Sequence, residues 1–273
     1  MVDNPSRAIL ERLSIRASAR PLIWLPRTTS TMDEARARAA TAAAGTVVMA
    51  GEQTRGRGRR GRCFASPPGG LYLSMILEPL PERQLSWQIG FALALAARQA
   101  VAVAGGPLLA FKWPNDLLVG SAKVGGVLLE LLTPAGGPAR VIAGIGLNLG
   151  PDPSLLEDGP KGAGSIALPP PPEGAVAVVA AEMLEAFDRQ IELLFTGHWP
   201  NLLQRVRECI VPKKGRPVTI RTPQGETLHG DFLDLADDGS LILREARHGQ
   251  VLVLHHGEVT SLGDSEPHGN VGS

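Results

Sequence analysis

The sequence predicts an α+β fold with a mixed, largely antiparallel central sheet flanked by helices and a small β-barrel at the C-terminal end. Three β-type runs within residues 109–149 are joined by short turns, which is typical of an antiparallel meander. The segment 85–104 is long and apolar enough for a buried helix, and apolar positions recur at helical spacing in 176–195. After Val211 short β-rich runs alternate with turn residues, as in a small barrel.

Composition limits the domain organisation and the class of protein. A chain of 273 residues with 44% hydrophobic content can form one large and one small domain, which we place at 1–210 and 211–263, before a disordered tail at 264–273. The balance of 27 basic and 27 acidic residues excludes a surface that binds a polyanion everywhere. Two cysteines are too few for a disulfide framework or a four-ligand zinc site. With no signal peptide or membrane span expected, the predicted location is the cytoplasm.

The first half of the chain supplies strands and helices in alternation. A short helix is expected within the first dozen residues, and "LIWLP" is the first predicted strand. Ser30 or Thr31 can cap a helix that ends at Gly45, with Asp33 or Glu34 closing a capping box. The β-branched run "TVVMAGEQ" is the next strand and leads into an arginine-glycine loop. "GLYLSMILEP" follows as a strand and precedes the long helix.

The second half begins with the meander. Its predicted strands are "AFKWPNDLLV", "KVGGVLLELLT" and "ARVIAGIGLNL". A polar, proline-rich loop then leads to the helix at 176–195 and to a second helix at 201–209. In the barrel, three turns are expected where a glycine follows a polar residue. They are Gln224-Gly225, Asp238-Gly239 and His248-Gly249.

The arginine-glycine loop is the strongest functional signal. Residues 55–62 hold five arginines interleaved with three glycines, in a chain whose formal net charge is zero. Guanidinium groups bind phosphate or carboxylate through forked donors, and glycines free the backbone to wrap a ligand. "GRGRRG" also matches a dinucleotide-binding turn, but "CFASPPGG" follows at once and prevents the helix which that motif requires. A nucleic-acid-binding segment and a solvated loop without a role stay open.

Other segments add polar groups near strand ends. Lys112, Asn115 and Asp116 stand together in "FKWPNDLL", and Lys123 follows Asp116 by seven residues across a predicted turn. Such a hairpin would bring Lys123 and Asp116 to one rim. Only five of the 27 basic residues are lysines, so a lysine in an ordered segment indicates a need for a compact ammonium group. "GIGLNL" supplies glycines for close backbone approach, followed by the amide of Asn148.

In this order, "TSTMDEA", "EQTRGRGRRGRCFASPPGGLYLS", "KWPNDLL", "KVGGVLLE" and "GIGLNL" resemble the biotin protein ligases, or biotin–[acetyl-CoA-carboxylase] ligases, over roughly residues 22–262. The resemblance implies a biotin/lipoate ligase-like fold, related to the cores of class II aminoacyl-tRNA synthetases, with an SH3-like barrel. It also implies an enzyme that uses MgATP to form biotinyl-5′-adenylate and then modifies a lysine of a carrier protein. The loop would then hold the carboxylate of biotin and the phosphates of ATP.

The resemblance also implies roles for individual residues. Biotin contacts are implied for Ser30, Thr31, Gln53, Gly56, Arg57, Arg59, Lys123 and Gly125. Nucleotide contacts are implied for Arg59, Arg60, Phe64, Lys112, Asn115, Lys123 and Asn148. Lys123, Arg57 and Arg59 are the expected catalytic cations, and Asp116 would orient the incoming lysine or help to position magnesium. Magnesium would accompany ATP, and no ligand for it is assigned.

Two residues depart from the common family pattern. Met32 stands where many members have asparagine, which removes a polar group near the biotin head, and Phe64 stands where many have tryptophan. Some members carry a winged helix of about sixty residues ahead of the catalytic domain, and few residues precede "WLP" here, so no repressor function and no DNA binding are expected. The expected partner is a biotin carboxyl carrier protein, the acetyl-CoA carboxylase subunit. An exposed sheet edge would allow a homodimer.

Two alternative functions are open at the level of sequence. A lipoate-type ligase shares the fold and the adenylation chemistry but usually lacks the "GRGRRG" signature. A nucleic-acid-binding module would use the arginine-glycine loop, and its affinity would fall steeply with salt.

Overall fold

The computed structural model describes residues 5–13, 20–80, 82, 87–133, 135, 137–150, 162–168 and 174–262. The chain divides into two compact units. The first comprises residues 1–111 and 115–209, and the second comprises 112–114 and 210–273. The predicted tail and most of the predicted proline-rich loop lie outside the described residues.

The sheet of the first unit is mixed and largely antiparallel, as predicted. Its strands are β1 (Leu22–Leu25), β2 (Val47–Ala50), β3 (Leu71–Leu77), β4 (Ala110–Lys112), β5 (Asp116–Val119), β6 (Ala122–Leu132) and β7 (Arg140–Leu147). They lie in the order β1-β2-β3-β7-β6-β5-β4. The β1–β2 pair is parallel, whereas β2–β3, β3–β7, β7–β6 and β6–β5 are antiparallel. The meander therefore forms the half of the sheet that continues from β3.

The prediction of one strand is wrong. The run "AFKWPNDLLV" was expected to be continuous, but it divides into β4 and β5 around a turn at residues 113–115. Pro114 has no N–H group and cannot extend a ladder of backbone hydrogen bonds. The division places Asn115 in the turn and Asp116 at the first position of β5.

Five α-helices accompany the strands in the part of the chain that the structure describes. They are α1 (Ser6–Leu10), α2 (Thr31–Arg38), α3 (Gln88–Val103), α4 (Ala175–Phe195) and α5 (Trp199–Cys209). Ser30 is the N-cap of α2, and its hydroxyl accepts a hydrogen bond of 3.3 Å from the Met32 N–H. The predicted capping box does not form, because the Asp33 carboxylate pairs with Arg57 and the Glu34 carboxylate accepts from Thr28 Oγ1.

The helix α2 is shorter than predicted. It ends at Arg38 and not at Gly45, although the alanine-rich sequence between them favours a helix. Gly45 has a positive φ of 89°, and its N–H donates to the Ile76 carbonyl at 2.7 Å. Tertiary pairing with β3 therefore overrides local helix propensity at this point.

The two faces of the sheet carry different side chains. Along β7 the alternation of a strand places Ile142, Gly144 and Gly146 on one face. Ile142 packs there against buried residues of α2 and its neighbours. On the opposite face α3 approaches β6, where a β-carbon at Gly90 would lie 3.2 Å from the Leu129 side chain. The helix α3 packs in turn on α4. The face toward α2 is thus the one with glycines at its centre.

The second unit is a small antiparallel sheet, consistent with an SH3-like barrel. Its strands are β8 (Ile210–Val211), β9 (Pro217–Arg221), β10 (Thr227–Leu235), β11 (Leu241–Glu245), β12 (Val251–Leu254) and β13 (Glu258–Leu262). Five of them form a sheet in the order β12-β11-β10-β9-β13. The predicted turns hold Gly225, Gly239 and Gly249, each with a positive φ. Among the described helices of the whole chain, none combines the length and the hydropathy needed to span a bilayer.

Replacing Phe187 by alanine should lower the free energy of unfolding by about 3–5 kcal/mol, because it deletes a buried aromatic ring from α4 and leaves a cavity. Phe187 is 1% exposed, whereas Phe195 on the same helix is 46% exposed and provides the matched control. Phe195→Ala should cost about 1 kcal/mol or less. Urea denaturation followed by circular dichroism measures both. Equal losses for the two variants would contradict this account of the core.

Candidate functional site

A row without bulky side chains crosses the centre of the glycine face. The strand register places Gly146 of β7 opposite Tyr72 of β3 on one side and opposite Gly126 of β6 on the other. Gly126 in turn lies opposite Asp116 of β5. We call Gly146 and Gly126 the glycine row. It forms a floor of bare backbone that ends at the buried carboxylate of Asp116.

Met32 and Phe64 cover this face from above. A β-carbon at Gly144 would lie 2.4 Å from Met32 Sδ, and one at Gly146 would lie 2.5 Å from Cε1 of Phe64. Only glycine leaves room for these two side chains. Met32 is 4% exposed and belongs to the core beside α2, whereas the half-buried Phe64 ring meets Tyr72 edge-on at a centroid distance of 6.5 Å. The two departures from the common family pattern therefore lie side by side.

Four polar side chains form one hydrogen-bonded chain beside the glycines. The hydroxyls of Ser74 and Thr31 share a hydrogen bond of 2.8 Å, and the Thr31 N–H donates to Gln53 Oε1 at 2.8 Å. Gln53 Nε2 donates to Ser66 Oγ at 2.8 Å. Thr31, Ser74 and Ser66 are buried, so this polar chain fixes the Gln53 amide in one orientation.

Sequence reasoning identified two members of this polar chain and missed two. Thr31 and Gln53 were predicted, but Ser74 and Ser66 were not. A serine within the apolar strand "LYLSMIL" was the available signal, since a buried hydroxyl needs a partner. Ser30 was predicted both as a possible helix cap and as a biotin contact. Its hydroxyl accepts from the Met32 N–H as the cap, and the biotin contact stays a prediction.

The arginine-glycine loop is a small ordered hairpin. The Phe64 N–H donates to the Gly56 carbonyl at 2.8 Å, and the Gly58 N–H donates to the Arg62 carbonyl at 2.7 Å. A β-carbon at Gly56 would lie 2.4 Å from the Phe64 carbonyl oxygen, so the close pairing requires glycine there. At the tip Arg60 has a φ of 55°, an uncommon conformation for a residue with a side chain. The backbone of the loop is thus tightly specified.

The arginines of the loop point to different partners. Arg57 and Arg59 are half-buried, whereas Arg55, Arg60 and Arg62 are exposed. Arg59 Nη1 donates to Asn115 Oδ1 at 3.2 Å, and Asn115 Nδ2 donates to the Val127 carbonyl at 3.1 Å. The turn between β4 and β5 therefore orients one inward arginine.

Arg57 contacts carboxylates from two other elements. Its Nη1 lies 3.0 Å from Asp33 Oδ1 of α2, and its Nη2 lies 2.5 Å from Glu130 Oε1 of β6. Arg36 of α2 pairs with the second oxygen of the same Glu130 carboxylate. Neither carboxylate was among the predicted site residues.

The structure brings Lys123 and Asp116 together at one end of the glycine row. Lys123 Nζ lies 2.5 Å from Asp116 Oδ1, with the Asp116 side chain 10% and the Lys123 side chain 38% exposed. A β-carbon at Gly126 would lie 3.7 Å from the ammonium nitrogen. A register irregularity between Leu117 and Leu118 accompanies this pair. The ammonium group is therefore accessible at the edge of the open floor.

A segment after the long loop supports both Lys123 and Asn148. The Lys123 N–H donates to the Gly162 carbonyl at 2.8 Å, and Asn148 Nδ2 donates to the Gly164 carbonyl at 2.8 Å. Asn148 is 4% exposed, and its Oδ1 has no hydrogen-bond partner among the described residues. A buried acceptor of this kind costs about 1–3 kcal/mol when unsatisfied, so it is suited to a ligand that donates a hydrogen bond.

The remaining predicted residues have other positions. A β-carbon at Gly125 would lie 2.6 Å from the Gly146 carbonyl, so close strand pairing already explains this glycine. Arg60 is exposed at the loop tip, and the half-buried Lys112 ends β4 and is grouped with the second unit. Within the described residues, no group of three His, Cys, Asp or Glu side chains could hold a metal ion.

Comparisons with known proteins agree with this geometry. Residues 24–148 match the Biotin/lipoate A/B protein ligase family, and residues 214–259 match the Biotin protein ligase C terminal domain. A biotin–[acetyl-CoA-carboxylase] ligase of Paracoccus denitrificans is 37% identical over 240 residues, which cover 84% of this chain and 96% of that one. The bifunctional ligase/repressor BirA of Bacillus subtilis is 32% identical over 73% of this chain and 61% of its own length. The biotin protein ligase from Aquifex aeolicus in complex with biotin and ATP has the same fold, with a TM-score of 0.70, 22% identity, and coverage of 87% of this chain and 97% of that one.

Gly146→Ala should displace the Phe64 ring from the glycine face, because the new methyl group would lie 2.5 Å from the ring. Tyr72 is the only tyrosine, so the nuclear Overhauser contact between its ring and Phe64 is a specific probe. Gly126→Ala is the matched control, since the nearest atom to its β-carbon would be 3.5 Å away. The contact should disappear in the first variant and persist in the second. Persistence in both would contradict the packing described for Phe64.

Proposed function

This chain belongs to the biotin protein ligase family, and we propose that it activates biotin with ATP and transfers it to a lysine of a biotin carboxyl carrier protein. One observation carries the proposal. The glycine row leads from the polar chain of Thr31 and Gln53 to the Lys123–Asp116 ion pair. Biotin has a polar ureido head, an apolar middle and a terminal carboxylate, and this sequence of environments matches that molecule from one end to the other.

The polar chain would recognise the ureido head. A urea offers one carbonyl acceptor and two N–H donors, and the hydroxyls of Thr31 and Ser74 can each donate or accept. Their mutual hydrogen bond and the fixed Gln53 amide orient these groups before a ligand arrives. The Phe64 ring packs on Gly146 in the ligand-free protein, so it would move aside to admit the rings to the glycine row and would then close over them. Met32 contributes an apolar contact where many family members have an amide.

The first half-reaction joins two anions. A carboxylate oxygen of biotin attacks the α-phosphorus of ATP, the new O–P bond forms, and the bond to pyrophosphate breaks. Lys123 would bind the carboxylate and the α-phosphate together, and Arg59 would approach from the loop. Fixed cations lower this barrier because they stabilise the charge that develops in the transition state. The resulting mixed anhydride is biotinyl-5′-adenylate.

The second half-reaction needs a neutral amine at the same position. The lysine of the carrier attacks the acyl carbon, the amide bond forms, and AMP leaves with the electrons of the C–O bond. When Lys123 turns to the substrate oxygens, Asp116 Oδ1 no longer contacts the ammonium group and can orient the incoming amine. The Asn148 acceptor and the Phe64 ring would hold the adenine, since adenine has an amino donor and an aromatic face. Arg60 completes the proposed nucleotide contacts of the first unit, and the contact expected from Lys112 stays a prediction.

Magnesium is expected to accompany the phosphates. It usually keeps several waters and binds one or two carboxylates together with substrate phosphates, so it does not need a group of three acidic residues. The residues of the site fit such an ion, with Asp116 as the nearest carboxylate to Lys123. The two free cysteines support a reducing, cytoplasmic setting for this reaction. The homodimer expected from the exposed sheet edge stays a prediction.

Purified protein should release pyrophosphate from MgATP only when biotin is present, because the carboxylate is the attacking group. Addition of a biotin carboxyl carrier domain should then increase the mass of the carrier by one biotinyl group. Enzymatic pyrophosphate detection and mass spectrometry measure the two steps. Lipoate in place of biotin is the control, and turnover with lipoate alone would show that the site serves a lipoate-type ligase.

Lys123→Arg should reduce adenylate formation about 100-fold or more, which is the usual effect of losing one well-placed charge-stabilising group. A guanidinium is larger and needs a planar, forked partner, so it does not replace a compact ammonium at the edge of the floor. Single-turnover formation of the adenylate measures this effect. Lys214→Arg is the matched control, because Lys214 is exposed in the second unit. Near-normal rates for Lys123→Arg would refute the role given to this lysine.

A further inference from the structure

We propose that Glu130, together with Asp33, holds the arginine-glycine loop through Arg57, and that this contact determines how long the adenylate is retained. The inference rests on the proposed function for its consequence, although the contact exists without a ligand. It makes Glu130 and Asp33 positioning residues, which act through Arg57 and do not touch the substrate. It also gives Arg57 a task different from the predicted binding of the substrate carboxylate.

The contact joins three separate elements. Arg57 lies in the loop, Asp33 lies in the first turn of α2, and Glu130 lies in β6. The guanidinium reaches both carboxylates at once, at 3.0 Å from Asp33 and 2.5 Å from Glu130. Only 15% of the Glu130 side chain is exposed, compared with 48% for Asp33. Glu130 is therefore the better-shielded anchor of the two.

The charges around Arg57 are already balanced. Arg36 pairs with the second oxygen of Glu130, so two arginines face two carboxylates in one network. A substrate carboxylate that approached Arg57 would have to compete with both existing partners. Arg57 is consequently suited to holding the loop.

Position within the hairpin makes Arg57 an effective point of attachment. Its backbone pairs with Cys63 on the opposite arm, between the Gly56–Phe64 and Gly58–Arg62 hydrogen bonds. Fixing Arg57 therefore fixes both arms, and with them Arg59 and the Phe64 ring on Gly146. Release of Arg57 would let the two groups that cover the adenylate move away together.

Partly exposed ion pairs are weak, and this suits a loop that must open. Each such pair contributes modestly and is screened by salt, so the loop would open repeatedly while the core stays folded. Formation of the adenylate depends on the fraction of molecules with the loop closed, which stays close to one when a weak contact is lost, whereas escape depends on the small open fraction, which rises several-fold. Loss of the network should therefore change the release of the adenylate and leave its formation nearly unchanged.

Glu130→Gln tests this inference, because it removes the charge while keeping the size of the side chain. We expect single-turnover formation of the adenylate at a nearly unchanged rate, and escape of the adenylate into solution about fivefold faster, as expected for loss of a contact of this strength. Tryptic cleavage within residues 55–62 of the ligand-free protein should accelerate by a similar factor. Raising the salt concentration should speed adenylate escape from the unmutated protein and have little further effect on the variant.

Two further variants make the test specific. Arg36→Gln is the matched control, since it removes the other arginine on the same carboxylate and leaves both contacts of Arg57. It should retain the adenylate normally. Asp33→Asn removes the more exposed carboxylate without altering the sheet and should speed escape about twofold. If Glu130→Gln lowers the thermal unfolding temperature, Asp33→Asn replaces it as the test of the contact.

The outcomes separate this inference from the proposed function. Unchanged escape and unchanged loop cleavage in Glu130→Gln and Asp33→Asn would overturn it. Faster escape in Arg36→Gln, equal to that in Glu130→Gln, would also overturn it, because Arg57 would then not be the important partner. If the unmutated protein formed no adenylate, the proposed function would fail, whereas the cleavage experiment on the ligand-free loop would still decide whether Glu130 holds Arg57.

Discussion

The architecture of the site depends on three glycines that lie on one face of two central strands. Gly144 and Gly146 of β7 and Gly126 of β6 leave that face without side chains in the middle of a sheet that is otherwise densely packed. Glycine within a strand costs roughly 0.5–1 kcal/mol relative to alanine, because it loses more conformational freedom on folding. The cost is offset where Met32 and Phe64 pack on the bare backbone. The missing β-carbons thus leave the space that Met32 and Phe64 occupy.

The covering loop combines a rigid backbone with weak attachments. Gly56 and the paired arms specify the hairpin closely, whereas Arg57 and Arg59 contact the rest of the first unit through partly exposed ion pairs and a hydrogen bond to the Asn115 amide. A rigid loop that is weakly attached moves as one body, so Arg59 and the Phe64 ring would approach and leave the site together. An enzyme with a reactive intermediate requires this combination, since the same loop must admit two substrates and then protect the product of the first step.

Sequence reasoning found the parts of the site that are local and missed those that depend on register. The helix cap at Ser30 and the Lys123–Asp116 pair follow from nearby residues, since a cap and a hairpin are short-range structures. Ser74 and Glu130 could not be assigned, because their position depends on the pairing of β3, β6 and β7 across distant segments. A shift of one residue in that register would send both side chains to the opposite face. The division of β4 from β5 was missed for a different reason. The residues on both sides of Pro114 are typical of strands, so the sequence pattern favours one continuous strand.

The ion pair at the end of the glycine row explains how a site for anions remains stable without one. An unpaired ammonium beside a partly buried floor would be poorly solvated, and Asp116 removes this cost by supplying a counter-charge from the next strand. In the proposed reaction, the arriving carboxylate and phosphate would replace one anionic partner of Lys123 by another, so the cation would not have to be desolvated again. A compact ammonium can change partners by rotation about its long flexible stem, whereas a guanidinium would have to reorient a planar fork. In a chain that uses arginine for most of its positive charges, the proposed exchange of partners would explain a lysine at this position.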